Sequence, residues 1–220
     1  MNSKGTITQE TFNFFKQIEE NNNKPWFEKN RPSYEAAKTN FLEFMEVLLP
    51  KIRTIDQIVE KDLKKYASRI NRDIRFSKDK SPYRNSISAL IERELGYKKC
   101  PFYICIQPNG SFIGGGVYQP KPPLLKRVRQ EIDYNSSEFH KIIGKPSFKE
   151  KFGKITGDSL VRPPKGYDEN NPNIELLKLK FYIVRKDFSD EEVMSPDFVN
   201  KIAEIYREAI PFFEFLDNAI

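Results

Sequence analysis

Apolar positions recur at helical spacing toward both ends of the chain and at a two-residue period in its middle. From Thr8 to about Glu20, Phe12, Phe15 and Ile18 share one face, and Asn21, Asn22 and Asn23 then supply a stop, which predicts an amphipathic helix. A second helix is predicted from about Pro32 to Leu49. Pro32 suits a first-turn position, Phe41, Leu42, Met45, Leu48 and Leu49 form a wide apolar stripe, and Pro50 is expected to end it. The stretch between them, NNNKPWFEKNRPSYE, carries the only tryptophan, Trp26, which is expected to pin the two helices together.

The period then changes. Ile70, Arg72 and Ile74, and after them Ile87, Ala89 and Ile91, alternate with polar neighbours; PFYICIQ follows at 101–107, and SFIGGGVY at 111–118 comes after a Pro108-Asn109-Gly110 turn. These four runs predict strands of an antiparallel meander, with RFSKDKSPYR as the loop joining the first two. Ser81-Pro82 offers a competing start for a helix through Ile91. Downstream, helices are predicted from about Pro123 to Ile132 and around Glu138 to Ile143, RPPKGYDENNP at 162–172 reads as a loop, and LKFYIVR at 179–185 as a further strand. The segment from about Pro196 to Asn218 lines up Phe198, Ile202, Ile205, Ala209, Phe212, Phe213 and Leu216, with Pro211 placed to kink it. The expected fold class is α+β: one domain spanning 1–220, with a meander of four to five strands packed with N-terminal and C-terminal helices.

Composition supports a real core, since 38% of the 220 residues are apolar and 13% aromatic, including eighteen Phe and ten Tyr. No run approaches the roughly 20 apolar residues of a membrane span, and MNSKGTITQE lacks the apolar centre of a signal peptide, so the expected location is cytoplasmic, with no membrane partner. Cys100 and Cys105 lie in a strand-like run at an odd spacing, which points them to opposite faces about 16 Å apart and excludes a bond between them there.

Charge changes the picture more. Residues 61–85 hold Lys61, Lys64, Lys65, Arg69, Arg72, Arg75, Lys78, Lys80 and Arg84 against Asp62, Asp73 and Asp79, and nine minus three equals the +6 of the whole chain. The remainder is formally neutral, so the positive potential is local and suits a localised anionic partner.

Several chemistries fall away. His140 is the only histidine, which excludes a multi-histidine metal site and leaves Ser-His-Asp or Cys-His hydrolysis resting on one residue of an ordinary helix. Gly114, Gly115 and Gly116 lack the phosphate-loop pattern and sit inside a strand, where glycine signals a bulge or close backbone approach, or else a flat floor for a ligand.

The 72–84 loop gathers the components of an anion site: the planar forks of Arg72 and Arg75, the mobile charges of Lys78 and Lys80, the hydroxyls of Ser77 and Ser81, and the rings of Phe76 and Tyr83. Arg129 in the helix after Pro123, with Lys126 beside it, and Arg162, Lys165, Tyr167 and Asp168 in the later loop, are further candidates to complete a pocket. Three readings stand. The first is a phosphorylated or otherwise anionic small ligand, whose enzymatic form would be phosphoryl or phosphodiester chemistry with Mg²⁺ and Asp73 or Asp79 as base or metal ligand. In the second, nucleic acid is the partner, with the cations on phosphates and Phe76 or Tyr83 stacked on bases. The third is an interaction module in which the loop charges form internal ion pairs.

RINRDIRFSKDKSPYR, the upstream WFEKNRPSYE, the hairpin FYICIQPNGSFIGGGVYQP, the helix LLKRVRQEI and the downstream RPPKGYDENNPNIELLKLKFYIVR together resemble the family known as domain of unknown function 2461, over roughly residues 8 to 216. The family's Arg-Asp-x-Arg-Phe-x-Lys-Asp-Lys-[ST]-Pro-Tyr core falls complete on Arg72, Asp73, Arg75, Phe76, Lys78, Asp79, Lys80, Ser81, Pro82 and Tyr83. The resemblance implies one domain of mixed α and β structure and a bacterial-type soluble protein; it brings no substrate or catalytic residue with it.

Overall fold

The computed structural model describes residues 5–94 and 100–220. In chain order the elements are α1 (Gln9–Glu20), α2 (Lys24–Lys29), α3 (Arg31–Arg53), a 3-10 turn (Leu63–Lys65), β1 (Ile87–Ile91), β2 (Phe102–Ile106), β3 (Ser111–Val117), α4 (Pro122–Tyr134), α5 (Ser136–Gly144), α6 (Pro146–Phe152), α7 (Ile174–Leu177), β4 (Tyr182–Phe188), α8 (Asp190–Met194) and α9 (Phe198–Asp217). The four strands form one antiparallel sheet in sequence order, so the fold is α+β with a meander, as the alternating pattern predicts. Among the described residues no helix is long and apolar enough to cross a membrane.

Two compact units share the chain. The first takes Met1–Ile91, Tyr103–Ile113 and Asp187–Glu204, and the second takes Glu92–Phe102, Gly114–Lys186 and Ile205–Ile220. In the first, α1 packs on α3 with Phe12, Phe15 and Ile18 fully buried. The start of α1 is held by Asn40, whose side-chain oxygen accepts from the Thr8 amide (3.0 Å) and the Thr11 hydroxyl (2.8 Å) while its amide donates to the Thr6 carbonyl (2.8 Å).

Three differences from the sequence reading have local causes. The asparagine run both stops α1 and starts α2: Asn23 accepts from the Trp26 amide (3.0 Å), with Pro25 in the first turn. Trp26 is half-buried against Phe14, and its neighbour Phe27 is the ring buried in this short helix. Pro50 does not end α3, which runs to Arg53; a proline in the last turn costs one hydrogen bond, and buried Leu49 and Ile52 on either side hold the helix in register. The expected strand at Ile70–Ile74 shrinks to a single antiparallel bridge between Asn71 and Tyr83, flanked by Arg84 N–H to the Ile70 carbonyl (2.8 Å) and Arg72 N–H to the Pro82 carbonyl (2.9 Å). Pro82 has no N–H to return, so the ladder stops there.

In the second unit the glycines of β3 serve strand pairing. A Cβ on Gly114 would lie 2.5 Å from the Val184 carbonyl oxygen, one on Gly115 would meet the Phe213 ring at 2.5 Å, and one on Gly116, at φ +126°, would collide with the Tyr182 carbonyl. The open glycine floor considered as a ligand surface is therefore covered by β4 backbone and α9. Cys100 and Cys105 are both buried, and neither is in a disulfide. Phe102 meets Tyr206 and Phe213 edge to face, and Phe139 and Phe148 pack on Phe212.

At the end of α9, Asp217 is buried with Arg93: the guanidinium donates to one carboxylate oxygen (2.6 Å), the Cys100 amide to the other (2.7 Å), and both side chains are 1% exposed. The Arg93 guanidinium also lies 5.7 Å from the centroid of Phe213. Asp217→Asn keeps the shape but removes the carboxylate charge that Arg93 meets inside the protein, so it is expected to lower the unfolding free energy by about 3–5 kcal/mol. Urea denaturation measures this, and an unshifted midpoint would show that the pair is not supporting the fold.

Candidate functional site

The 72–84 loop rises from the Asn71–Tyr83 bridge, and its foot is fastened to the end of α1. Asn22 donates to the Tyr83 carbonyl (2.9 Å) and accepts from the Tyr83 amide (3.0 Å), so one side chain takes the place of a neighbouring strand. The Tyr83 ring is buried and stacks on Phe27 at 4.2 Å, 24° from parallel. Its ring, considered as a ligand-stacking face, serves as the anchor of the loop.

Within the loop the aspartates answer the arginines. Asp79 accepts from the Ser81 amide (2.9 Å) and pairs with the Arg72 guanidinium, which also donates to the Ser81 carbonyl (3.2 Å). Asp73 accepts from Arg75 Nε (2.9 Å), Nη2 (2.7 Å) and the Arg75 amide (3.2 Å). Lys80 Nζ donates to the Ile74 carbonyl (3.0 Å). Lys78 and Arg84 are exposed and form no ion pair among the described residues. The internal network considered at the sequence level is thus real for the two arginine pairs, but it is a surface network: Arg75 and Asp73 are 76% and 60% exposed.

The Ser81 amide and hydroxyl, followed by Arg72, hold the Asp79 carboxyl far below the usual carboxylate range, and the Arg75 side chain lowers that of Asp73. Both are ionised near neutrality and poorly disposed to take a proton as a general base. Among the described residues no three acidic, histidine or cysteine side chains gather as a metal site.

Beside this foot lies an open cleft of about 390 Å³ lined by Glu19, Asn22, Arg72, Asp79, Ser81, Tyr83, Arg84, Asn85 and Ser86. Of these, Arg84, Asn85, Ser86, Asn22 and Glu19 were not singled out as ligand residues from the sequence. Arg84 was visible there only as one of nine cations, and Asn22 only as a helix stop. The other sequence candidates, Arg129, Arg162 and Lys165, belong to the second unit. There Arg129 Nη2 donates to the Leu179 carbonyl (3.0 Å) and its Nε is buried without a hydrogen-bond partner, while Arg162 and Lys165 are exposed in their loop. His140 sits on α5 with Nε2 2.8 Å from the Asn173 side-chain oxygen, a structural contact.

The Asp79 carboxyl titrates lower in the folded chain than in the unfolded one, where it sits near 3.9. Its contribution to loop order is complete above that unfolded value and is lost as pH falls toward the lowered folded one. At about pH 3, where an ordinary aspartate is mostly protonated, Asp79 is expected to remain ionised. Carboxyl carbon shifts followed by NMR would show it, and a midpoint at the ordinary value would dissolve the Arg72–Asp79–Ser81 arrangement.

No curated protein and no solved structure matches the chain. The description Conserved hypothetical protein (DUF2461) belongs to a family model that matches residues 10–215, almost the whole chain and all of the cleft-lining loop, and the protein is therefore a member of that family.

Proposed function

We propose that the protein binds a small anionic ligand, such as a phosphorylated metabolite, in the cleft at the foot of the 72–84 loop. The observation that carries this reading is the pairing of a roomy polar cleft with Arg84, a cation that has no carboxylate answering it among the described residues. Arg72 adds a second cation to the lining, its Nη1 shared between Asp79 and the Ser81 carbonyl. Ser81, Asn85 and Ser86 add neutral hydrogen-bonding groups that can address the rest of a ligand. Glu19 and Asp79 set a limit on charge, which favours a ligand with a polar body as well as an anionic end over a bare polyanion.

Binding fits the site better than catalysis. The carboxylates that Mg²⁺-assisted phosphoryl chemistry would use, Asp73 and Asp79, are both engaged by arginines of the same loop. The single-domain organisation and cytoplasmic location expected from the sequence complete the reading.

A thermal-shift screen over nucleotides, sugar phosphates and inorganic polyphosphate tests it. A ligand at about 100 times its dissociation constant should stabilise the wild type by about 2.7 kcal/mol. Arg84→Ala, at an exposed position, should keep the unliganded melting temperature and lose most of the ligand shift. Equal protection of wild type and Arg84→Ala by every anion would sink the proposal.

A further inference from the structure

The tip of the same loop carries an arrangement that the cleft does not use. Phe76 is 95% exposed, so its ring forgoes the hydrophobic gain that every buried phenylalanine of this chain collects. Beside it, Asp73 occupies Nε and Nη2 of Arg75 and fixes the guanidinium, whose carbon lies 5.9 Å from the Phe76 ring centroid. The Arg75 plane and its remaining N–H groups, two on Nη1 and one on Nη2, are thereby held out on an exposed side chain. Lys78 has no ion pair among the described residues, and Lys80 commits one of its three N–H groups, to the Ile74 carbonyl at 3.0 Å.

We propose that the tip, residues 75–80, is a stacking and phosphate-tracking subsite for single-stranded nucleic acid, in which a base lies on Phe76 and the adjoining phosphates meet Arg75, Lys78 and Lys80. A ring face flanked by cations at the spacing of neighbouring residues is what sequence-tolerant strand binding requires. A duplex keeps its bases stacked on one another and is read by a helix or ribbon inserted in a groove, and an irregular loop tip supplies neither. A membrane surface is matched less well, because interfacial insertion needs an apolar face of several residues, and the neighbours of Phe76 are Arg75 and Ser77. The side chains that would touch the strand, Arg75, Phe76, Lys78 and Lys80, do not line the cleft, so the two proposals fail separately: the cleft through Arg84→Ala and small anions, the tip through Phe76.

The test measures fluorescence anisotropy of a labelled deoxythymidine strand of about 12 nucleotides, alongside an abasic strand of equal length and charge, against wild type, Phe76→Ala and Phe76→Tyr. The wild type should bind the thymidine strand at low salt and lose about twentyfold in affinity between about 50 and 200 mM salt, as about three phosphate contacts imply. Phe76→Ala should weaken binding about tenfold, Phe76→Tyr should restore it, and the abasic strand should not distinguish the variants. Because Phe76 is fully exposed, its loss should leave the melting temperature in place, which separates a binding defect from an unfolded one. Absence of binding at low salt, equal affinity of wild type and Phe76→Ala, or equal binding of the abasic strand would each overturn the proposal. So would Phe76-dependent binding of phosphatidylserine vesicles without strand binding, which would mark the tip as a membrane contact.

Discussion

A carboxylate at the last residue of a helix faces the negative end of the helix dipole, and Asp217 occupies that position at the end of α9 while buried. There the Arg93 guanidinium and the Cys100 amide meet its two oxygens and offset that cost. Two regions of the chain far apart in sequence are thereby tied at one ion pair: Arg93 and Cys100, which flank the passage from β1 to β2, and the C-terminal helix. Around it, Phe213 lies against both Arg93 and Phe102, so the apolar packing of the second unit and this buried pair share a side chain. Neither arrangement tolerates a shift of α9 along its axis.

The basic loop follows the opposite logic. Its pairs are at the surface, where solvent weakens them, and they act by orientation more than by energy. Asp79 and Asp73 each claim one arginine, so within the 72–84 loop the positive charge that no carboxylate answers among the described residues lies on Lys78, Lys80 and Arg84. The 72–84 loop thus presents two different surfaces, a polar cleft at the foot and an aromatic, cationic tip.

Periodicity exposed what repeats and missed what depends on one partner. The helices α1, α4 and α9 and the strands β1, β2 and β3 were legible because each carries its own amphipathic or alternating pattern. The strand at Ile70–Ile74 was not, because its alternation is genuine but Pro82, on the facing segment, denies it a partner. Pro50 read as a stop because composition cannot tell a last turn from a helix end. The short helices α2, α6, α7 and α8 carry too few turns to display a period; α8 is signalled only by its capping box at Ser189 and Glu192. At the site, charge counting found the loop and its arginines. It could not find Asn22, whose importance lies in a pair of backbone contacts to a residue it does not resemble in any sequence pattern.

That clamp has a consequence for how the site comes into being. Asn22 and Tyr83 are 61 residues apart, and so the loop is closed by a contact of high sequence separation, whose entropy must be spent before anything local rewards it. Every cation of the loop is present in an isolated peptide of residues 69–86, yet the cleft is not, because Asn22 and Glu19 come from α1 and its trailing turn and the floor under Tyr83 is Phe27 of α2. The cleft is a product of the assembled N-terminal helices, even though its cations are contiguous in the chain.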